Sequence, residues 1–123
     1  MKIILLIEDN IDIRENTAEI LSLEGYNVHA VNTGEGALEI KGIILPDLIL
    51  CDVVMPGVDG FCVYQAFKQD PLTNHIPFIR MTAKSENSDR VKAAGCGIHH
   101  YLVKPFDYNE LMDCVNSCFH PNS

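Results

Sequence analysis

The chain has 123 residues, 47% of them hydrophobic, and nine basic against seventeen acidic residues give a net charge of −8. That length fits one domain able to bury a core without staples. The acidic balance argues against direct nucleic-acid binding and against an anionic membrane surface as partner.

The apolar start IILLI is too short for a spanning helix or a signal peptide, and Glu8-Asp9 follow at once. Five cysteines with no CxxC pair read as reduced thiols of a cytoplasmic protein.

Residues 2–7 read as a buried first strand, ended by Glu8, Asp9 and Asn10. A helix should begin near Ile11 or Asp12, where Asp12 with Glu15 resembles a capping box. Ile13, Thr17, Ile20, Leu21 and Leu23 form its apolar stripe, and Gly25 is a good stop. Residues 26–31 alternate as a second strand. Thr33-Gly34 opens a second helix carrying Ala37, Leu38 and Ile40, with Gly42 near its end. Leu48, Ile49, Leu50 and Cys51 are an apolar run without alternation, the pattern of a parallel strand covered on both faces. The run stops at Asp52, and Met55-Pro56-Gly57 then forbids both more strand and an early helix.

Phe61, Val63, Tyr64, Ala66 and Phe67 fill a third helix. Residues 70–74 form a loop, and 76–81 a fourth strand ending in Thr82-Ala83. Residues 87–94 form a polar, weakly periodic fourth helix. Residues 100–103 form a fifth strand ending in Lys104-Pro105. Leu111, Cys114, Val115 and Cys118 mark a last helix, and 120–123 a frayed tail. Strand–helix five times over implies parallel strands, right-handed crossovers and helices on both faces of one sheet.

Four strands thus end in functional groups on one edge of the sheet: Glu8-Asp9, Asp52, Thr82 and Lys104. Crowded carboxylates repel, and a divalent cation removes that conflict. All-oxygen ligands favour Mg²⁺ or Mn²⁺ over zinc. A metal-bound carboxylate beside an ammonium and a hydroxyl suits phosphoryl transfer, with Asp52 as the nucleophile. Each piece alone has a plainer reading: a helix cap, a solvated strand end, a turn residue, a surface lysine. Their joint occurrence carries the argument.

The stretches IEDN, LILCDVVMPGVDG, IPFIRMTAK and YLVKPF together resemble the receiver domain of two-component response regulators, over essentially the whole chain (residues 1–119). The resemblance implies a single doubly wound α/β domain, (βα)5 and flavodoxin-like, with a five-stranded parallel sheet in the order 2-1-3-4-5. It implies that Asp52 accepts the phosphoryl group. Asp9, Asp52 and the Val54 carbonyl would bind Mg²⁺ directly, and Glu8 mainly through water. Lys104 and the Thr82 hydroxyl would contact the phosphoryl oxygens, and Lys104-Pro105 would be cis. Tyr101 matches the aromatic that turns inward when the threonine moves. The donor would be a sensor histidine kinase, a histidine phosphotransfer protein or a small acyl phosphate. The face made by the fourth helix, fifth strand and last helix would then change its affinity for an output partner or domain.

Some residues depart from the family pattern. His99-His100 replaces a common acidic pair and reads as an ordinary strand edge. Residues 107–119 carry no Lys or Arg, so the salt-bridged dimer of many relatives is not expected and the unmodified domain should be a monomer. Arg80 stands within the fourth strand, where an apolar residue is usual, and is expected to snorkel to an edge. Cys114, Cys118 and His120 suggest a metal site faintly, but the helical spacing makes the cysteines core residues first. Val54 and Lys84 occupy positions where polar side chains help place the hydrolytic water, which predicts a long-lived phosphoryl group.

Three other functions compete. A haloacid-dehalogenase-type phosphatase needs a second Asp two residues after its nucleophile, where this chain has Val54. A flavodoxin needs a phosphate loop after the first strand, which EDNIDI does not offer. A non-phosphorylated scaffold would have no use for Asp9, Asp52, Thr82 and Lys104.

Overall fold

Every residue of the strand Leu48–Asp52 is buried, and that run is the middle of the sheet. A computed structural model describes residues 1–52, 57, 60–83 and 100–120. Its strands are β1 (Ile3–Ile7), β2 (Asn27–Val31), β3 (Leu48–Asp52), β4 (Phe78–Ala83) and β5 (His100–Lys104). They pair in parallel in the order β2-β1-β3-β4-β5. The described helices are α1 (Ile11–Leu23), α2 (Gly34–Ile40), α3 (Gly60–Gln69) and α4 (Tyr108–Phe119). The helix expected at 87–94 lies outside the described residues, as do Val54, Lys84, His99 and 121–123.

Two apolar layers sandwich the sheet. On one face Leu5, Ile7, Ile49, Cys51 and Phe78 pack with Ala37 of α2 and with Val63, Tyr64 and Phe67 of α3. On the other, Ile4, Leu6, Leu48, Leu50, Ile79, Met81 and Leu102 meet Leu21 of α1 and Leu111, Met112 and Val115 of α4. Alternate strand residues therefore feed both layers, which is why β1 and β3 read as unbroken apolar runs.

Several local expectations are corrected. Helix α1 is capped by Asn10, whose side chain accepts from the Ile13 backbone N–H, and not by Asp12. Asn10 is the residue with extended backbone geometry, while Asp12 already lies in the first turn and faces the helix dipole. Leu23 and Leu38, which periodicity places in apolar stripes, are exposed. Leu23 falls two residues after buried Leu21, about 200° further round the helix. Strand β4 begins at Phe78, two residues later than the apolar pattern suggests. Before it, the Pro77 carbonyl already accepts from Ile49 N–H at 3.0 Å. Gly25, at φ +96°, follows the C-cap Glu24 and closes α1 as expected.

A capping box not anticipated from the sequence starts α4. The Asp107 side chain accepts from Glu110 N–H at 2.8 Å, and the Glu110 carboxylate accepts from Asp107 N–H at 3.3 Å. The Asp-x-x-Glu spacing carried that signal.

Candidate phosphoacceptor site

The carboxyl ends of β1, β3, β4 and β5 lie along one edge because all the strands are parallel. Asp52 closes β3, with Met81 opposite it on β4; Thr82 follows, paired with Val103, and Lys104 is the last residue of β5. Sequence order is thereby turned into proximity. The Lys104 Nζ stands 2.6 Å from Glu8 Oε1 and 3.2 Å from Asp52 Oδ2. Glu8, Asp9 and Asp52 each offer a carboxylate oxygen within 4.8 Å of the other two. Glu8 is fully buried, Asp52 and Thr82 nearly so, and Asp9 is exposed. Among the described residues, three carboxylates and one ammonium meet here, an excess of negative charge at a partly open mouth.

Burial works against the ammonium of Lys104. The hydrogen bond from Lys104 to Glu8 and the negative charges of Asp52 and Glu8 outweigh it, and its pKa is raised above the usual lysine value. Lys104 is therefore held as a cation, a form that can bind anionic oxygens. The Lys104-Pro105 peptide bond is cis, as the resemblance implied.

The loop after β1 is tied down at several points. Glu8 Oε2 accepts from Asn10 N–H at 3.1 Å. Arg14 Nη1 donates to the Glu8 carbonyl at 3.0 Å and reaches the Asp9 carbonyl at 3.5 Å. Arg14 escaped notice in the sequence; a cation one turn into the helix that follows the acidic pair was the available signal. After β3, Gly57 has φ +76°, and a Cβ there would come within 2.8 Å of Glu35 Oε2. The positive φ is what favours glycine there, since the Glu35 carboxylate is the tip of an exposed, flexible side chain that can move aside.

The donor set is all oxygen, with one member exposed to admit a hydrated ion. Among the described residues it is the one such group of three. This fits a hard divalent cation such as Mg²⁺ and not a zinc site. Cys114 and Cys118 pack against the α1–α4 core layer instead, and burial pushes both thiols up to about 11.

Tyr101 lies half-buried against the core layer on the α3 side. Arg80 does not snorkel to an edge: it is fully buried, with its guanidinium carbon 4.8 Å from the centroid of the Tyr101 ring. The two residues are registered partners across β4 and β5. A planar, weakly hydrated guanidinium can exchange water for an aromatic face. His100 opens β5 at the sheet edge and is exposed, consistent with an ordinary edge residue.

Residues 4–116 match the family model of the response regulator receiver domain. Among curated relatives, the response regulator PleD of Caulobacter vibrioides is 39% identical over 92% of this chain and 25% of its own length. The phosphate regulon regulator PhoB of Pseudomonas aeruginosa is 35% identical over 90% of this chain and 48% of its own length. The chain thus spans a quarter to about half of the curated relatives it matches. Among solved structures, the signal receiver domain of a histidine kinase from Syntrophus aciditrophicus superposes with TM-score 0.89 at 30% identity, covering 100% of this chain and 93% of that one. The receiver domain of the sensor histidine kinase PA1611 from Pseudomonas aeruginosa, with a magnesium ion coordinated in its active-site cleft, gives TM-score 0.86 at 29% identity, covering 95% and 96%. Shared fold, shared sequence over nearly the whole chain and the converged strand ends agree: this chain belongs to the family of response regulator receiver domains.

Proposed function

We propose that this domain takes a phosphoryl group onto Asp52 in a Mg²⁺-dependent reaction and uses it to reset a protein-binding face. The single observation that carries the reading is Lys104, whose ammonium bridges Glu8 and Asp52 beside Asp9. An Asp52 oxygen attacks phosphorus in line. The P–N bond of a phosphohistidine, or the P–O bond of an acyl phosphate, breaks, and its electron pair leaves with the imidazole or the carboxylate. Asp9 and Asp52, with the Val54 carbonyl and with Glu8 through water, would hold Mg²⁺, which would supply charge neutralisation to the transferring group. Lys104 offers a second cation to the same oxygens, and the Thr82 hydroxyl a hydrogen bond.

A groove of about 410 Å³ borders Lys104, lined by Ile13, Thr17, Ile20, Pro105 and Phe106. An apolar groove at the mouth of the site supports a protein donor, either a sensor histidine kinase or a histidine phosphotransfer protein, in the cytoplasm. The new charge, about −2 at neutral pH, draws Thr82 toward it, and Tyr101 fills the space left behind. The fourth predicted helix, β5 and α4 then present an altered face to an output partner or attached output domain. The protein shifts between two existing states. The whole of residues 1–119 acts as this one module, monomeric until it is modified, and it turns over no external phosphoester.

Acetyl phosphate with Mg²⁺ should add one phosphoryl group, seen by mass spectrometry. Asp52→Asn and EDTA should each abolish the addition. Uptake at the normal rate in Asp52→Asn would end the proposal. Steady hydrolysis of a generic phosphoester would favour the phosphatase reading instead.

A further inference from the structure

Strand β4 sends Phe78 into the α3-side layer and Ile79 and Met81 into the opposite one. By the same alternation Arg80 and Thr82 lie on the Phe78 face. Arg80 is therefore a fully buried cation in the row of side chains that leads to Thr82. A charge at that depth is tolerable only where neighbouring groups replace water. The ring of Tyr101 is one such group. At 4.8 Å from the guanidinium carbon it lies within reach of a cation–π contact, and sheet register places the two residues opposite each other. The backbone beneath the ring is held as well, because the Cys114 thiol of α4 donates to the Tyr101 carbonyl at 3.5 Å.

We infer that Arg80 is a positioning residue for Tyr101, drawing the ring inward over β4 before any phosphoryl group arrives. The inference rests on the reading of Thr82 and Tyr101 as the switch. A group biases a two-state equilibrium only if it interacts differently with the two states. The arrangement with the ring 4.8 Å from the guanidinium carbon has the contact, and any arrangement that turns the ring away from β4 gives it up. Arg80 thus acts in the same direction as phosphorylation and sets how far the resting domain already leans toward its active arrangement. The planar face of Arg matters here; Lys in its place keeps the charge but not the flat stack.

The test is NMR of the full chain, unmodified and phosphorylated, in wild type, Arg80→Lys and Arg80→Met. In the unmodified protein, Arg80→Met should lower the inward-to-outward ratio of Tyr101 by about thirtyfold, the scale of a desolvated cation–π contact. Arg80→Lys should fall in between. The shift change that phosphorylation causes at Tyr101 should be larger in Arg80→Met than in wild type. Wild-type ring shifts in unmodified, folded Arg80→Met would overturn the inference. If Arg80→Met does not fold, Tyr101→Leu gives the reciprocal reading. The upfield displacement of the Arg80 Nε–H by the ring should vanish, and its persistence would overturn the contact. A Tyr101 signal that responds to Arg80→Met but not to phosphorylation of wild type would refute the switch reading while leaving the positioning role standing.

Discussion

Lys104→Met isolates what the ammonium does for the resting domain. The substitution removes the ammonium that pairs with the fully buried Glu8 and the nearly buried Asp52 beside Asp9. Breaking a buried ion pair by removing one member costs about 3–5 kcal/mol. Proton uptake limits that loss. Neutralising a glutamate with an unfolded-state pKa of about 4.3 costs about 3.7 kcal/mol at pH 7 and only about 1 kcal/mol at pH 5.

In the variant, the folded state therefore binds a proton more readily than the unfolded chain does. The loss of stability is therefore smaller in acid than at neutral pH. With an unfolding entropy of about 2.1 cal/mol/K per residue over 123 residues, 1 kcal/mol corresponds to about 4 °C in Tm. Thermal melting followed by circular dichroism in EDTA should show Lys104→Met about 15 °C below wild type at pH 7, but only about 4 °C below at pH 5. Saturating Mg²⁺ at pH 7 should recover much of the difference, because a dication takes the place of the ammonium among the carboxylates. A loss of equal size at both pH values and unmoved by Mg²⁺ would mean that Lys104 acts through packing, and the charge argument would fail.

Thiol chemistry should follow exposure and pKa. At pH 8, Cys62, exposed on α3, should be alkylated well before Cys114 and Cys118, whose thiols are pushed up to about 11 by burial; peptide mapping that found Cys114 modified first would contradict that order. Asp107→Ala should lower stability by about 1 kcal/mol through loss of the capping box on α4, a melting shift of about 4 °C. Wild-type phosphoprotein should decay slowly with Mg²⁺ present, and both Val54→Asn and Lys84→Glu should hasten the decay. A tenfold change corresponds to about 1.4 kcal/mol of barrier, and equal or slower decay in both variants would show that another group places the hydrolytic water.

Much of the architecture was legible in the residues themselves. Unbroken apolar runs at 3–7 and 48–51 announced strands covered on both faces, and Gly25 announced a helix end, because side-chain period and left-handed glycine are properties of the local chain. The site was legible for a related reason. In a parallel sheet every strand ends on the same edge, so Glu8-Asp9, Asp52, Thr82 and Lys104 had to gather there once their segments were strands. The order of the strands came from family likeness and not from periodicity, and the sheet has that order.

Tertiary structure alone decided the rest. Periodicity says which residues share a face of an element, not how wide a stripe its neighbours cover; hence Leu23 and Leu38 ended in solvent. Helix caps depend on which residue adopts extended geometry as the chain leaves the strand, and the fixed turn after β1 selected Asn10 over Asp12. A charged side chain inside a strand reads locally as one that must escape to water. The register of β4 with β5 set an aromatic ring opposite Arg80, one of the groups that stand in for water around the buried guanidinium. In the same way the sequence put a lysine and two acids on one edge, while only the packed sheet brought the Lys104 ammonium to 2.6 Å from Glu8 and 3.2 Å from Asp52. Coulombic interaction depends on separation and burial, and both are properties of the assembled layers.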